Sequence, residues 1–564
     1  MLPVKGEKGE DVTEKLEEQA PDALHDEDEV TDEDRRTLRR VPAAIPWASF
    51  LIAVCELSER FSYYGTVQVF QNFIENPLPI GSTTGADPSS EGTPGALGRG
   101  QTAATGLTTF NQFWVYCMPL LGGYLADAYL GRFRTIKLAV YIAIVGHIIL
   151  VICAIPPVIK NPNGSMAAFA VAIIVMGLGT GMFKSTVSPL MAEQVGSQKQ
   201  RIATTNKGER VIVDPTITSA RLFNFFYLMI NIGAIGGQVS MTFAEKYEGF
   251  YLAFTLPTVV FLICIPILHF GRHLYKKTPP SGSVLGTSMR VWRYALTHRS
   301  PQHSFWDSAK PSNIEPDLRP RWMTFDDAWV DEIRRGFKAC YIFALFPFYW
   351  ICYNQISSNL ISQAKSLTRN GVPNEIVSNL DPLSIIIFVP VFEFLVYPGL
   401  RRLGINFTAL KRIFAGFMCA SAAMVWSAVV QHYIYRQSPC LDRASECDDP
   451  APLSVWVQTG PYVLIGISEI FASVTGLEYA FTKAPKNMRS LVMGAFLFTS
   501  ALGSALQQAF LPLVQDPRLV WMYTTFAVIA FIAGVVFRVA TYSIDQEEDR
   551  LNNLDEGQFH VTKQ

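Results

Sequence analysis

Long apolar runs constrain this chain more than any other feature. Twelve reach spanning length, at approximately 46–74, 104–127, 134–156, 167–191, 220–243, 250–270, 336–360, 380–400, 410–435, 455–480, 490–513 and 519–543. A bilayer core about 30 Å thick needs about 20 residues of helix. Helices satisfy their own backbone polar groups where no water can, so the expected fold is an all-α membrane protein. Hydrophobic residues make up 49% of the 564, too many for a soluble chain of this charge content. The longest interruption divides the runs six and six. The chain then reads as an acidic tail (1–45), a six-helix bundle (46–271), a linker (272–332), a second six-helix bundle (333–543) and a short tail (544–564). The first tail has no apolar periodicity and reads as disordered. Within the linker, Met289–His298 and Phe325–Val330 read as short amphipathic helices at the inner membrane surface.

Basic residues set orientation. Arg35, Arg36, Arg39 and Arg40, with Arg132, Arg134, Arg401, Arg402, Lys483 and Lys486, fall on one side of the twelve-run topology. Both termini are therefore expected in the cytoplasm of a multi-pass plasma-membrane protein. No basic region precedes a short apolar stretch, so no cleaved signal peptide is expected. The opposite side receives Asn163-Gly164-Ser165, a glycosylation acceptor, and the loop holding Cys440 and Cys447. In an oxidising compartment those cysteines form a local disulfide; otherwise they are two reduced surface thiols. A net charge of -1 without a basic tract gives no reason to expect nucleic acid. No metal cluster, nucleophile–base pair or cofactor loop stands out, so neither an enzyme nor a cofactor is expected.

Glu56, Glu59 and Arg60 lie inside the first run, at about 2.5–3.5 kcal/mol each near mid-bilayer on the lenient insertion scale. At about 100° per residue, they share one arc of the helix with Tyr63 and Tyr64. Such a stripe points into protein or a wet cavity. One reading is a structural ion pair, Glu56 with Arg60; the other is a proton site, because two acids face one base. Lys184, seven residues from the end of the fourth run, reads as a cavity-facing ammonium. Tyr227 and Asn231 stand one turn apart in the fifth run, as do Trp350 and Asn354 in the seventh and Glu469 and Ser473 in the tenth. The pair in the fifth run reads equally as an interhelical hydrogen bond or a substrate contact. Glu469 mirrors Lys184 across the two halves, so acid and ammonium can clasp a zwitterion. His147 reads as a packing histidine, and Glu478 as lying on the opposite face from Glu469.

Gly123-Tyr-Leu-Ala-Asp127-Ala-Tyr-Leu-Gly131-Arg132-Phe-Arg134 resembles a signature of the major facilitator superfamily, a fold of two six-helix bundles rocking about a central site. Asp127 and Arg132 are then expected to form a cytoplasmic latch. Glu56-x-x-Glu59-Arg60-Phe61-x-Tyr63-Tyr64-Gly65 is similar to the signature of the proton-dependent oligopeptide transporter family. Phe226-Tyr227-Leu-Met-Ile-Asn231-Ile-Gly233 and Ala484-Pro485-Lys486-Asn487-Met488-Arg489-Ser490 resemble two more of its motifs. The loops at 76–100 and Cys440–Cys447 resemble the fungal branch.

The resemblance implies symport of di- and tripeptides with protons, without another cofactor, by a protein working as a monomer in the lipid bilayer. By motif, Glu56, Glu59 and Arg60 form the proton-coupling group, and Lys184 pairs with it or with the peptide carboxylate. Glu469 receives the peptide amino group and Asn231 bonds the peptide. Tyr63, Tyr64, Tyr116 and Trp350 line the pocket. Val67 stands where many members carry an arginine, Asn354 where an acid is frequent, and Thr109 where animal members carry histidine. Asp381 replaces a common asparagine and offers a second anionic anchor. Two other readings are a carrier of nitrate or another small solute, and a peptide-sensing receptor that does not transport.

Overall fold

The computed structural model describes residues 25–29, 34, 37–195, 200–205, 208–277, 279–280, 284–299, 304–320, 322–404, 407–447, 449–483 and 489–547. Among them run twelve helical spans. The first half holds α1 (Trp47–Gln68), α2 (Gly100–Leu125), α3 (Arg132–Ala154), α4 (Pro162–Val195), α5 (Pro215–Tyr247) and α6 (Phe250–His273). The second holds α7 (Asp327–Lys365), α8 (Ile376–Leu400), α9 (Ala409–Gln437), α10 (Val455–Ala480), α11 (Arg489–Gln508) and α12 (Leu519–Glu547). Nine spans are apolar enough to cross a membrane on length and composition. The other three are α1, α2 and α11, rich in charged, amide and hydroxyl residues. These three depart from the uniform apolar pattern because they face polar protein surfaces rather than lipid alone.

Helix contacts inside each half are close enough to require glycine. A Cβ on Gly233 would lie 2.5 Å from the Leu57 carbonyl oxygen, and one on Gly237 would lie 2.2 Å from that of Phe61. The backbones of α1 and α5 therefore touch along the Leu57–Phe61–Gly65 side of α1, next to Arg60. Gly179 packs in the same way on Ala143, joining α4 to α3, and Gly181 packs on Met118, joining α4 to α2. Small residues of this kind let membrane helices associate where the hydrophobic effect gives no net drive.

Two expectations change outside the membrane. The acidic tail is not wholly without structure: β1 (His25–Glu29) and β2 (Arg40–Val41) join β3 (Arg201–Thr204) and β4 (Arg210–Val213) in one sheet, ordered β1-β3-β4-β2. Strand pairing uses backbone groups and needs no apolar side chain, so it is hidden in a charge-rich segment. Arg39 adds two bonds to Glu209, at 3.1 and 3.0 Å. In the linker, Val284–Thr297 is helical as expected, but Phe325–Val330 is not a separate surface helix. Asp326 Oδ1 accepts from the Trp329 amide at 2.8 Å and caps the start of α7, which thus begins at Asp327. Val291, Ala295, Met323, Phe325, Trp329 and Ile333 form a small core binding the linker helix to that extension.

At one face of the bundle the halves are sealed together. The loop after α9 there holds the Cys440–Cys447 disulfide. Its strand β6 (Ala451–Ser454) pairs with β5 (Leu367–Thr368) in the loop after α7. Across the seam Gln68 Nε2 donates to Glu375 O (2.9 Å) and Ser378 Oγ (2.8 Å), and Gln71 Nε2 to Ser362 Oγ (2.9 Å). Asn359 Oδ1 accepts from Thr105 Oγ1 at 2.9 Å and Gln101 Nε2 at 3.1 Å. Toward the other face, Tyr227 lies within electrostatic range of Tyr64, Glu469 and Asp381 yet keeps 51% of its surface exposed. The central cleft is thus open on that side.

Replacing Gly237 with valine should drive its side chain into the α1 backbone, at a cost of about 1–3 kcal/mol or more for an overpacked contact. Thermal unfolding of the detergent-solubilised protein should show a lowered midpoint, while Gly399→Ala, where an added Cβ meets nothing within 4 Å, should not lower it.

Candidate functional site

The α1 charges form one buried cluster. Arg60 Nε stands 3.1 Å from Glu56 Oε1, and Arg60 Nη2 contacts Glu59 Oε2. All three side chains are at most 4% exposed. Two acids share this one guanidinium. The i,i+4 pair anticipated as a bland alternative is present, but it is only part of the set. Thr180 of α4 lies beside Glu59, a neighbour the sequence did not suggest. Just past them, Arg60 lies 5.7 and 5.8 Å from the ring centres of Tyr63 and Tyr64, a cation–π distance.

Lys184 of α4 completes the first half of the site. Its Nζ stands 3.8 Å over the Tyr116 ring, and Glu56, Glu59, Arg60 and Tyr64 are all in electrostatic range. The ammonium is thus directed at Tyr116 and the α1 charges. Asn231 Nδ2 is used within its own helix, donating to Tyr227 O at 2.8 Å. It remains only half-buried beside the exposed Tyr227.

The opposite wall is acidic. Glu469 is half-buried beside Tyr353, with Oε2 unbonded. Asp381 of α8 is 4% exposed, faces Glu469, and leaves Oδ1 unbonded. The structure therefore places the two acids within electrostatic range of each other. Directly after Glu469 the helix loosens into a π turn at Ile470–Val474, which contains Ser473. Such turns insert one residue and re-aim the side chains around them. The insertion breaks the uniform 3.6-residue count, yet Glu478 still lies away from the site, 3.8 Å from Arg412.

Trp350 and Asn354 occupy more enclosed positions. Trp350 Nε1 donates to Thr499 Oγ1 at 3.0 Å, and Asn354 Nδ2 to Ser504 Oγ at 3.0 Å. Both tie α7 to α11. Asn354 is 1% exposed, so in this state it supports the wall from behind.

The latch expected between Asp127 and Arg132 is not the ion pair formed. Arg132 Nη1 bonds Glu193 Oε1 at 2.7 Å, at the end of α4. Asp127 lies in a π turn, Ala126–Leu130, and Gly131 reverses the chain with φ +75°, turning Arg132 toward α4. His147 is buried, as a packing histidine would be, and its Nε2 is 3.1 Å from Ser62 Oγ of α1. Asn163 is exposed and receives a hydrogen bond from Arg99 on the disulfide-bearing face. The 484–488 part of the third family motif lies outside the described residues.

A family model described as "PTR2: POT family" matches residues 133–528. Among curated relatives, "Peptide transporter PTR_C" of Candidozyma auris is 41% identical over 540 residues, covering 95% of this chain and 91% of that protein. "Probable peptide transporter ptr2" of Schizosaccharomyces pombe is 41% identical, covering 93% of this chain and 82% of that one. The crystal structure of the POT family transporter PepTSo superposes with a TM-score of 0.71 at 22% identity, covering 90% of this chain and 99% of that one. With a family match over most of its length and full-length relatives of this similarity, the chain belongs to the POT family of membrane transporters, within the major facilitator fold, and is not an enzyme.

Proposed function

We propose that this protein imports di- and tripeptides together with protons by alternating access. The observation that carries the reading is the buried Glu56–Arg60–Glu59 cluster beside Lys184, facing Glu469 and Asp381 across an open cleft. Two acids on one guanidinium leave a carboxylate that can take up a proton, since desolvation penalises its charged form. Neutralising it weakens the hold on Arg60 and Lys184 and frees a cation for the peptide carboxylate. Glu469, with Asp381 behind it, suits the peptide ammonium, while Tyr63, Tyr64, Tyr116, Tyr227, Asn231 and Ser473 border the space between. Trp350 and Asn354 hold the wall. A site that grips termini and backbone accepts many side chains.

The relatives' printed names as peptide transporters favour this cargo over nitrate, and the anionic Glu469–Asp381 wall disfavours an anionic solute. The disulfide-bearing face is assigned to the outside, with both chain ends in the cytoplasm, Asn163 open to glycosylation, and a monomer in the plasma membrane as the working unit. The sealed seam then makes this the inward-facing state. Each proton contributes about 1.36 kcal/mol per pH unit and about 2.3 kcal/mol per 100 mV, enough to concentrate a peptide severalfold to hundredfold.

In proteoliposomes with an imposed pH gradient, Glu59→Gln should abolish dipeptide accumulation while sparing counterflow exchange; accumulation at the wild-type level would discard the coupling role. Binding without pH-driven accumulation by the wild type would select the receptor instead. Loss of the charge-assisted bond in Glu469→Gln should raise the dipeptide concentration for half-maximal exchange about tenfold or more. Correspondingly, N-acetylated dipeptides should fail to compete with free dipeptides for wild-type uptake.

A further inference from the structure

Two carboxyl groups that play no part in the central site meet across the sealed seam. Glu245, at the end of α5, and Glu375, in the loop before α8, are both fully buried. Asn72 ties them into one cluster, donating from Nδ2 to Glu245 Oε1 and to Asn374 Oδ1, next to Glu375, whose backbone oxygen accepts from Gln68. Two charged carboxylates buried side by side without a cation would each carry a large desolvation cost and repel one another. A single proton held by the pair removes that cost. The surroundings offer little alternative. Asn72 Nδ2 donates to Glu245 Oε1 at 2.9 Å, but Glu245 Oε2 and both oxygens of Glu375 have no side-chain donor.

The nearby cations are engaged elsewhere. Lys246, next to Glu245 in α5, donates to Gly371 O at 3.1 Å. Lys365 of α7 donates to Asn76 Oδ1 at 2.8 Å and lies 3.9 Å from Glu75, itself on the short helix after α1. Arg369 donates to Gly92 O at 3.1 Å and accompanies Glu91, with Asp87 nearby in the same 76–100 loop. Tyr462 of α10 also faces Glu375, but its hydroxyl donates to Ile356 O. Among the described residues, none of these groups hydrogen-bonds either acid of the pair.

We infer that Glu245 and Glu375 form a second proton-binding site, distinct from the α1 cluster, which takes a proton from the outside as the outer gate closes and returns it to the same side as the gate opens. The pair exists only when the halves are together. Separated, each carboxyl faces water and ionises as an ordinary carboxylate. In the closed gate, burial first and the Glu245 charge second push the Glu375 carboxyl well above the usual range. The sign follows from linkage: closure binds a proton, so it is favoured at low external pH and weakens as pH rises through the pair's titration. This proton is sealed from the cytoplasmic side of the cleft. It sets how external pH governs the gate without adding to the protons delivered with each peptide.

The sidedness rests on the transport reading, but gate closure can be measured without any peptide. Spin labels on cysteines introduced at the exposed Lys160 and Gln437, one on each half, would report the separation of the outer faces. The full chain would be held in nanodiscs, with Cys117, Cys340 and Cys419 replaced by alanine. In the wild-type background the closed-to-open ratio should fall up to about tenfold per pH unit over the titration, as expected for one proton. Glu245→Gln and Glu375→Gln each replace the shared proton with an amide donor, and should flatten that dependence to less than about twofold per unit. If either variant folds poorly, Glu375→Lys should hold the gate closed at pH 8 through a direct ion pair. In proteoliposomes, both glutamine variants should shift the external pH giving half-maximal uptake while keeping the wild-type proton-to-peptide ratio. An unchanged pH dependence of the label distance in both variants would overturn the inference, as would an altered ratio. A wild type that closes with pH but does not accumulate peptide would instead sink only the transport reading.

Discussion

The cost of holding charge within a bilayer governs this architecture. Glu56, Glu59 and Arg60 cannot face lipid, so α1 must be covered on its charged side by other helices. The cover comes from α5 and α4: glycines 233 and 237 allow α5 to reach the α1 backbone, and Thr180 and Lys184 project from α4. Two acids share the one guanidinium there, and the Lys184 ammonium lies in electrostatic range of both. Packing of the first half and chemistry of the cleft thus come from the same few residues.

The second half meets this arrangement with the opposite polarity. Glu469 and Asp381 give an acidic wall across from Lys184 and Arg60, a separation of signs that suits a molecule carrying both. The π turns at Ala126–Leu130 and Ile470–Val474 break helical regularity beside Asp127 and after Glu469. Each lets a polar group point away from its expected bearing. In the first case that freedom is accompanied by a change of partner, with Arg132 bound to Glu193 instead of Asp127.

Much of the fold was legible in the sequence because the bilayer sets a length that apolar runs must match. The α1 stripe was legible because charge stands out against that background. Partners on other helices were not: nothing in the sequence indicated that Ser62 meets His147, that Thr180 meets Glu59, or that Asn354 bonds Ser504. Such contacts depend on helix rotation, to which apolar periodicity is nearly blind when a helix is greasy on most sides. The tail strands escaped notice for another reason. Their order comes from backbone pairing with Arg201–Thr204 and Arg210–Val213, while their side chains read as solvated.

The seam between the halves is fastened by amides, hydroxyls and carboxyls, with Gln68, Gln71, Asn72 and Gln101 supplying donors from one half. Water can replace each such partner nearly in kind, so parting the surfaces trades one set of bonds for another of similar strength. A greasy seal of equal area would resist wetting and hold one conformation for long periods. The polar fastening keeps the alternative arrangements near in energy, which lets a single small ion decide between them.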